Sequence, residues 1–442
     1  MNKNIITASA LILLLSGNAY SQEKWDLEKC IRHAIENNVG IKQQEAATEQ
    51  SAVELNTAQW SRLPDLTGGA SHSFNFGRSL QSDNTYKSLN TQNTSFSLNT
   101  SVPLFTGLRI TNNIALAKLN LQAATEDLNK AKEDISIQVA SAYLQVLFNE
   151  ELAQVAHLQV ELSKEMLSQK EAYFKTGKAS EAEWLEAKSR VAQDELSAVQ
   201  ADNNQKLALL DLSQLLELPS PENFSIVSPE ADMDEYAGSI TSPAEIYNEA
   251  VLFKPSIKAA QYRLDGAAKS IRIAQSAYYP QLSFGAGLST NYYKVSGMKN
   301  SIFGSQLKDN FSQYFGFQLS IPIFNRFSTR NQVRSAKIQQ STLSWQLEDS
   351  KKALYKEIQQ AYYNALGAES RYESSLTADE AAEASFNLMK EKYAEGKANA
   401  TEYNESRTNW MKAISERLQA KYDYIFRTKI LDFYKGTPLT LK

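Results

Sequence analysis

The 442 residues carry 46 basic and 50 acidic side chains, a formal charge of −4. A mildly acidic chain without basic runs is a poor nucleic-acid binder, because that binding rests on neutralising phosphates. His33, His72 and His157 fall on separate elements, there is one cysteine and no Gly-rich phosphate loop, so no catalytic, cofactor-binding or metal site is expected.

Residues 1–21 read as a secretory signal peptide. Lys3 supplies the positive charge, residues 5–15 the apolar stretch, and Ala19-Tyr20-Ser21 a small-x-small cleavage site. The apolar run is shorter than the ~20 residues a spanning helix needs, and no other stretch qualifies. An exported chain without a transmembrane helix is expected. Cys30 lies on a helix expected over 27–36 and is read as a small buried residue.

Period-two alternation then marks strands. Phe96, Leu98, Val102 and Leu104 alternate with Ser95, Ser97, Asn99 and Ser101, and Ala70, His72, Phe74 and Phe76 form the expected hairpin partner. Later in the chain Phe315, Phe317, Leu319, Ile321 and Ile323 alternate with polar residues, opposite Leu282, Phe284, Ala286 and Leu288. Pro64 and Pro280 precede the first strand of each pair; Pro103 and Pro322 close the second. Long polar loops are expected over 78–94 and 294–312. Tyr278, Tyr279, Tyr292, Tyr293 and Tyr314 are candidates for interfacial aromatic girdles, whereas Tyr362 and Tyr363 are read as packing residues.

Each strand pair is followed by a stretch almost free of helix breakers. Residues 108–218 hold no proline and only Gly177; residues 327–435 hold no proline and only Gly367 and Gly396. Such stretches, rich in Ala, Leu, Gln, Glu and Lys, predict helical hairpins turning at Gly177 and Gly396. The first arm, 108–175, would be about 100 Å long at 1.5 Å per residue. Ser180-x-x-Glu183 and Asn399-x-x-Glu402 are capping-box signals for return helices over 181–216 and 400–434. Ile135, Val139, Ala142, Val146 and Val155 supply an apolar face for helix packing. Residues 224–227 suit a small strand in the acidic, proline-containing segment between the halves.

The chain thus describes one unit twice. Ser101-Val102-Pro103-Leu104-Phe105 returns as Ser320-Ile321-Pro322-Ile323-Phe324 (320 − 101 = 219), and Gly177-Lys178-Ala179 returns as Gly396-Lys397-Ala398 (396 − 177 = 219). The expected partition is a first structural repeat over 22–218, a linker over 219–243 and a second repeat over 244–442. Strands of this length and alternation suit a transmembrane barrel, but barrels need at least about eight strands. An open sheet cannot sit in lipid, so four strands demand oligomerisation; this reasoning leaves two or three copies open.

The duplicated strand–strand–long-helix–helix unit resembles the TolC family of outer-membrane efflux channels. The two tips that carry the resemblance are Tyr173-Phe174-Lys175-Thr176-Gly177-Lys178-Ala179-Ser180 and Lys392-Tyr393-Ala394-Glu395-Gly396-Lys397-Ala398-Asn399. The resemblance implies a mainly α protein with a small transmembrane β part, assembled as a homotrimer. Its 12-stranded barrel in outer-membrane lipid would continue as a periplasmic α-helical barrel. It implies a passive exit channel in the outer membrane of a Gram-negative bacterium, docked to a periplasmic adaptor (membrane fusion) protein and an inner-membrane RND or ABC transporter. Carried over, Thr176, Gly177, Lys178, Glu395, Gly396 and Lys397 would be the adaptor-docking tips. Glu183, Glu186, Glu402 and Glu405 would be the pore constriction, with Tyr393 a gate residue that hydrogen-bonds Glu183 across hairpins. The family's gating arginine corresponds to Ala398. The competing reading is an exported structural coiled-coil spacer or adhesin without channel activity.

Overall fold

A computed structural model describes residues 24–80, 84–220, 224–228 and 241–441. The signal-peptide assignment lies outside the described residues. In chain order the elements are β1 (Lys24–Trp25), α1 (Leu27–Asn37), α2 (Val39–Trp60), β2 (Asp65–Asn75), β3 (Arg78–Leu80), β4 (Tyr86–Ser88), β5 (Thr91–Phe105), α3 (Arg109–Lys175) and α4 (Glu181–Leu215). The second half continues with β6 (Ser225–Ile226), α5 (Pro243–Phe253), α6 (Pro255–Ser276), β7 (Gln281–Val295), α7 (Phe303–Asp309), β8 (Ser312–Ser320), α8 (Ser328–Ala394) and α9 (Ala400–Tyr434). Among described residues no helix is long and apolar enough to cross a membrane.

The two copies agree to the residue. α3 and α8 are both 67 residues and α4 and α9 both 35, at 328 − 109 = 219 and 400 − 181 = 219. The earlier helices repeat at a different offset, 243 − 27 = 216 and 255 − 39 = 216, as do the strand starts, 281 − 65 = 216. The three-residue difference therefore falls between the paired strands, where connections tolerate length change. A single extended residue splits the short helix from the next in each copy. At Lys254 the following proline disfavours helical backbone; at Asn38 the side chain accepts a hydrogen bond from the Gly40 amide at 2.9 Å. α8 runs unbroken through Gly367.

The residues cluster into two compact units. One comprises the described residues of Met1–Glu45, Leu128–Lys254 and Lys351–Lys442; the other comprises Ala46–Asp127 and Pro255–Ser350. The first unit is helical apart from a two-stranded parallel pair, β1 with β6, which realises the small strand expected at 224–227. Its core joins Leu27, Cys30 and Ala34 of α1 to Val139, Tyr143, Val146 and Leu147 of α3, Leu212 of α4 and Ile425 of α9. Cys30 is fully buried, and that burial, helped by Asp26, pushes its thiol up to about 12. It is a packing residue.

The second unit holds a four-stranded antiparallel sheet in the order β2-β5-β7-β8. Directly paired residues share a face, so the register defines two surfaces. One carries the rows Leu66–Thr100–Ala286–Phe315 and Val102–Phe284–Phe317, with Leu98 opposite Leu288. The other carries Gly69–Ser97–Ser289–Ser312 and Thr67–Asn99–Gly287–Tyr314. Tyr314 lies over Gly287, where a Cβ would come within 2.5 Å of its ring, and its hydroxyl donates to Asn99 Oδ1 at 3.2 Å. Tyr314 and Tyr293 thus stand on the polar face, which removes both from a girdle on the apolar side; Tyr292 is on the apolar side, against Phe303.

Four other expectations need correction. The 78–94 loop contains the β3–β4 hairpin and gives way to β5 at Thr91. The 294–312 loop contains α7, and here side-chain amides replace a strand. Beyond the end of β8, Gln306 exchanges two hydrogen bonds with the backbone of Tyr293 (2.9 and 3.0 Å), and Asn300 does the same with Val295 (both 2.9 Å). Such pairing satisfies edge backbone without any period-two signal. Tyr363 is exposed rather than packed. Pro103 lies inside β5, where the register shifts before Phe105, and Pro322 follows the end of β8.

Candidate functional site at the hairpin tips

Both tips lie in the first unit and close with the same backbone motif. Gly177, at φ +69°, donates to Phe174 O at 3.0 Å and Lys178 to Tyr173 O at 2.8 Å. Gly396, at φ +72°, donates to Tyr393 O at 3.0 Å and Lys397 to Lys392 O at 2.8 Å. These are Schellman motifs, in which a left-handed residue lets two amides reach back to the final carbonyls. Thr176, Gly177, Lys178, Glu395, Gly396 and Lys397 are all exposed, with Glu395 and Lys397 paired at 2.5 Å.

The capping boxes start the return helices as the spacing predicts. Ser180 accepts from the Glu183 amide while Glu183 Oε2 accepts from the Ser180 amide at 2.9 Å; Asn399 and Glu402 make the same exchange. Glu183 also accepts from Lys170 Nζ at 3.0 Å. The Ser180 amide first, then Lys170, hold the Glu183 carboxyl down to about 2. Burial opposes the charge on Lys170, but its hydrogen bonds with Tyr393 and Glu183 outweigh that and raise its pKa. Its ammonium lies 5.1 Å from the Tyr393 ring centroid. Glu183 and Tyr393 therefore meet through Lys170, not by the direct hydrogen bond expected.

Glu183, Glu186, Tyr393 and Lys170 line one cleft of about 300 Å³ together with Arg190, Tyr403 and Arg407. Glu402 and Glu405 are not among its walls. Glu402 is held in its cap, whereas Glu186 and Glu405 are exposed. In the wall of the cleft is an ionic knot centred on the buried Asp194 carboxylate. Arg407 on α9 (1% exposed) donates to Asp194 on α4 (2% exposed) at 3.0 Å, Arg190 Nε lies 3.2 Å from the same carboxylate, and Gln159 donates to it at 2.9 Å. Beside the knot Tyr393 stacks on Tyr403, and Phe386 on Trp410. The knot joins the two hairpins of one chain.

Sequence reading missed Lys170, Arg190, Asp194 and Arg407, although a signal existed. At the 219-residue offset they correspond to Met389, Asn409, Ala413 and Lys188, so all four are places where the copies disagree. The aromatic pair, by contrast, is repeated: Phe174 stacks on Trp184 in the first tip (5.4 Å) as Tyr393 stacks on Tyr403 in the second (5.0 Å). Of the histidines, His157 pairs with Asp202 and His72 with Thr94. Among described residues no cluster of three or more metal-ligating side chains occurs.

A duplicated helical hairpin with charged tips, in a chain that also carries an amphipathic antiparallel sheet with free edges, defines the outer-membrane channel class. The family described as outer membrane efflux protein matches residues 30–217 and 246–433, and the chain belongs to it. It is thus an outer-membrane efflux protein of the Gram-negative type. The chain is 23% identical over 441 residues to the outer membrane protein TolC of Escherichia coli K12, covering 96% of this chain and 85% of that protein. It is 22% identical over 341 residues to the outer membrane efflux protein BepC of Brucella suis (76% and 69% covered). Its fold matches the crystal structure of CusC with a TM-score of 0.76 at 18% identity, covering 93% of this chain and 92% of that one.

Proposed function

We propose that this protein is the passive exit duct of a tripartite efflux or type I secretion system, working as a homotrimer in the outer membrane. The observation that carries the reading is the sheet, with one apolar face, one polar face and two free edges, β2 and β8. In hydrocarbon an unpaired edge leaves backbone groups unsatisfied. Pairing β8 of one copy with β2 of the next removes every edge, and three copies supply the twelve strands of the family barrel. The partition into repeats at 22–218 and 244–442, joined by 219–243, makes each chain two wall segments.

In this reading the exposed tips Thr176-Gly177-Lys178 and Glu395-Gly396-Lys397 dock a periplasmic adaptor, which is coupled to an RND or ABC transporter. Lys170, Glu183 and Tyr393 tie the two hairpins at the constriction. Glu186 and Glu405, exposed and repeated around a three-fold axis, form acidic rings that attract cations; Glu183 and Glu402 serve mainly as caps. A polar lining selects little, so the inner-membrane partner sets the cargo.

Native mass spectrometry and planar-bilayer recording of the detergent-purified protein test this. Three chains and discrete conductance steps are expected. Extraction without detergent and no conductance would instead establish the coiled-coil spacer.

A further inference from the structure

The four-stranded sheet has two different ends. Helices α2, α3, α6 and α8 join the strands at Asp65, Phe105, Gln281 and Ser320. With those helices on the periplasmic side, the opposite end, at Asn75, Thr91 and Val295, faces the cell surface, and the apolar face there meets the outer leaflet. Near that end small residues of β2 leave a groove on the apolar face. Its walls are the rows Gly68–Leu98–Leu288 and Ala70–Phe96–Thr290, with Phe311 at the start of β8, and they enclose about 440 Å³.

At the head of the groove the surface changes from apolar to cationic. Along β7 one face presents Leu288, Thr290, Tyr292 and then Lys294, which is exposed and pairs with Gln92. α7 forms a ledge on this same face. Phe303 packs on Tyr292 with ring centroids 5.0 Å apart, and Thr290 Oγ1 donates to the Leu307 carbonyl at 2.6 Å. The outer surface of the ledge is apolar at Met298, Ile302, Phe303 and Phe311, with Ile302 79% exposed. Lys299 and Lys308 are interleaved with these residues and are exposed. Asp309 is the one acid between Asn291 and Tyr314. Among the described residues none of the three lysines makes an ion pair.

We infer that groove and ledge together bind a phosphorylated lipid of the outer leaflet, one acyl chain lying in the groove and the phosphate on Lys294, Lys299 and Lys308. The inference rests on the channel reading above, which sets the sheet in the membrane. Two features select this occupant. The groove opens on hydrocarbon, where apolar walls offer dispersion contacts to an alkyl chain and nothing to a polar ligand. The lysines stand where the apolar band ends, so their stems rest on apolar surface while the ammonium groups reach headgroup level. Three unpaired cations against one acid favour a phosphorylated headgroup over a zwitterionic one. The groove alone would take any acyl chain, and the lysines alone any anion; their continuity along β7 joins the two demands in one molecule.

The test titrates the detergent-purified, full-length protein with lipid A, an acylated sugar phosphate, and with the same lipid stripped of its phosphates, and reads bound lipid by native mass spectrometry. One lipid A per chain is expected, with much weaker uptake of the stripped form. Lys294→Gln with Lys299→Gln and Lys308→Gln should weaken binding about 100-fold, at roughly a factor of five per lysine. Ala70→Phe, which fills the groove, should also weaken it. Single-channel conductance should be unchanged in both variants, which shows that they fold and assemble. A conducting wild-type trimer that binds no lipid A overturns the inference. So does binding that survives loss of the phosphates, loss of the three lysines or filling of the groove. A monomeric, non-conducting wild type would overturn the channel reading itself.

Discussion

At the residue scale, the tip is governed by two ionic groups of different burial. Asp194 neutralises Arg407, which has no access to water, and removing one partner of a buried pair costs about 3–5 kcal/mol because the other charge is stranded. Asp194→Ala should lower the thermal midpoint markedly, and adding Arg407→Leu should restore most of it; an unchanged midpoint in the single variant would refute the knot. Glu183 behaves differently because it is half exposed. Its folded pKa, about 2, lies below the unfolded value of 4.5, so its contribution is fully present above pH 4.5, declines below that and is gone once pH has fallen through about 2. Conductance and thermal midpoint should both be flat from pH 7 to about 4.5; a step there that Glu183→Gln abolishes would contradict the cap. Glu405→Ala with Glu402→Ala should weaken cation block in single-channel recordings, and an unaltered block would remove these positions from the constriction. The caps were legible because Ser180-x-x-Glu183 acts over one turn. The contacts of Lys170 with Tyr393 and of Arg407 with Asp194 were not, since those partners lie on helices distant in sequence.

At the element scale, the hairpins owe their equal lengths to breakers placed with care. Residues 109–175 and 328–394 hold no proline, Gly367 leaves α8 unbroken, and each run stops just before a glycine in the left-handed region. A Cβ at Gly177 would meet nothing within 4 Å, so Gly177→Ala should cost only the conformational term, about 1–2 kcal/mol. Adaptor binding should survive that change, whereas Lys178→Glu with Lys397→Glu should weaken it; pull-down with the cognate adaptor separates turn-forming from docking roles. The strands were readable from period two, and the faces followed. What period two could not reveal was α7, because Gln306 and Asn300 satisfy β7 through side chains rather than a paired strand.

At the scale of the whole molecule, the repeat is both the plan and the limit of symmetry. Helices before the strands recur at 216 and helices after them at 219, so the strand connections absorb the difference and the paired helices keep equal lengths. Quasi-equivalence then leaves different residues at corresponding contacts. Inside the chain the hairpins are tied by Arg407, Asp194 and Lys170, none of which recurs in the other copy. Heating the purified protein without reductant should separate copies before hairpins unfold, seen as loss of trimer mass at a lower temperature than loss of helical ellipticity. Coincident transitions would show that the copies are held together as firmly as the hairpins.

The amino-acid sequence by itself determined the long helices, their ends, the alternating strands and the duplication. Each of these depends on neighbours within a few residues or on a fixed period, which local physics reads directly. Only the tertiary structure decided that β5 pairs with β7 to join the copies, that Tyr314 stands on the polar face, and that Lys170 stands between Glu183 and Tyr393. Those outcomes depend on which distant segments meet, and a side chain's partner across hundreds of residues leaves no periodic trace in the chain.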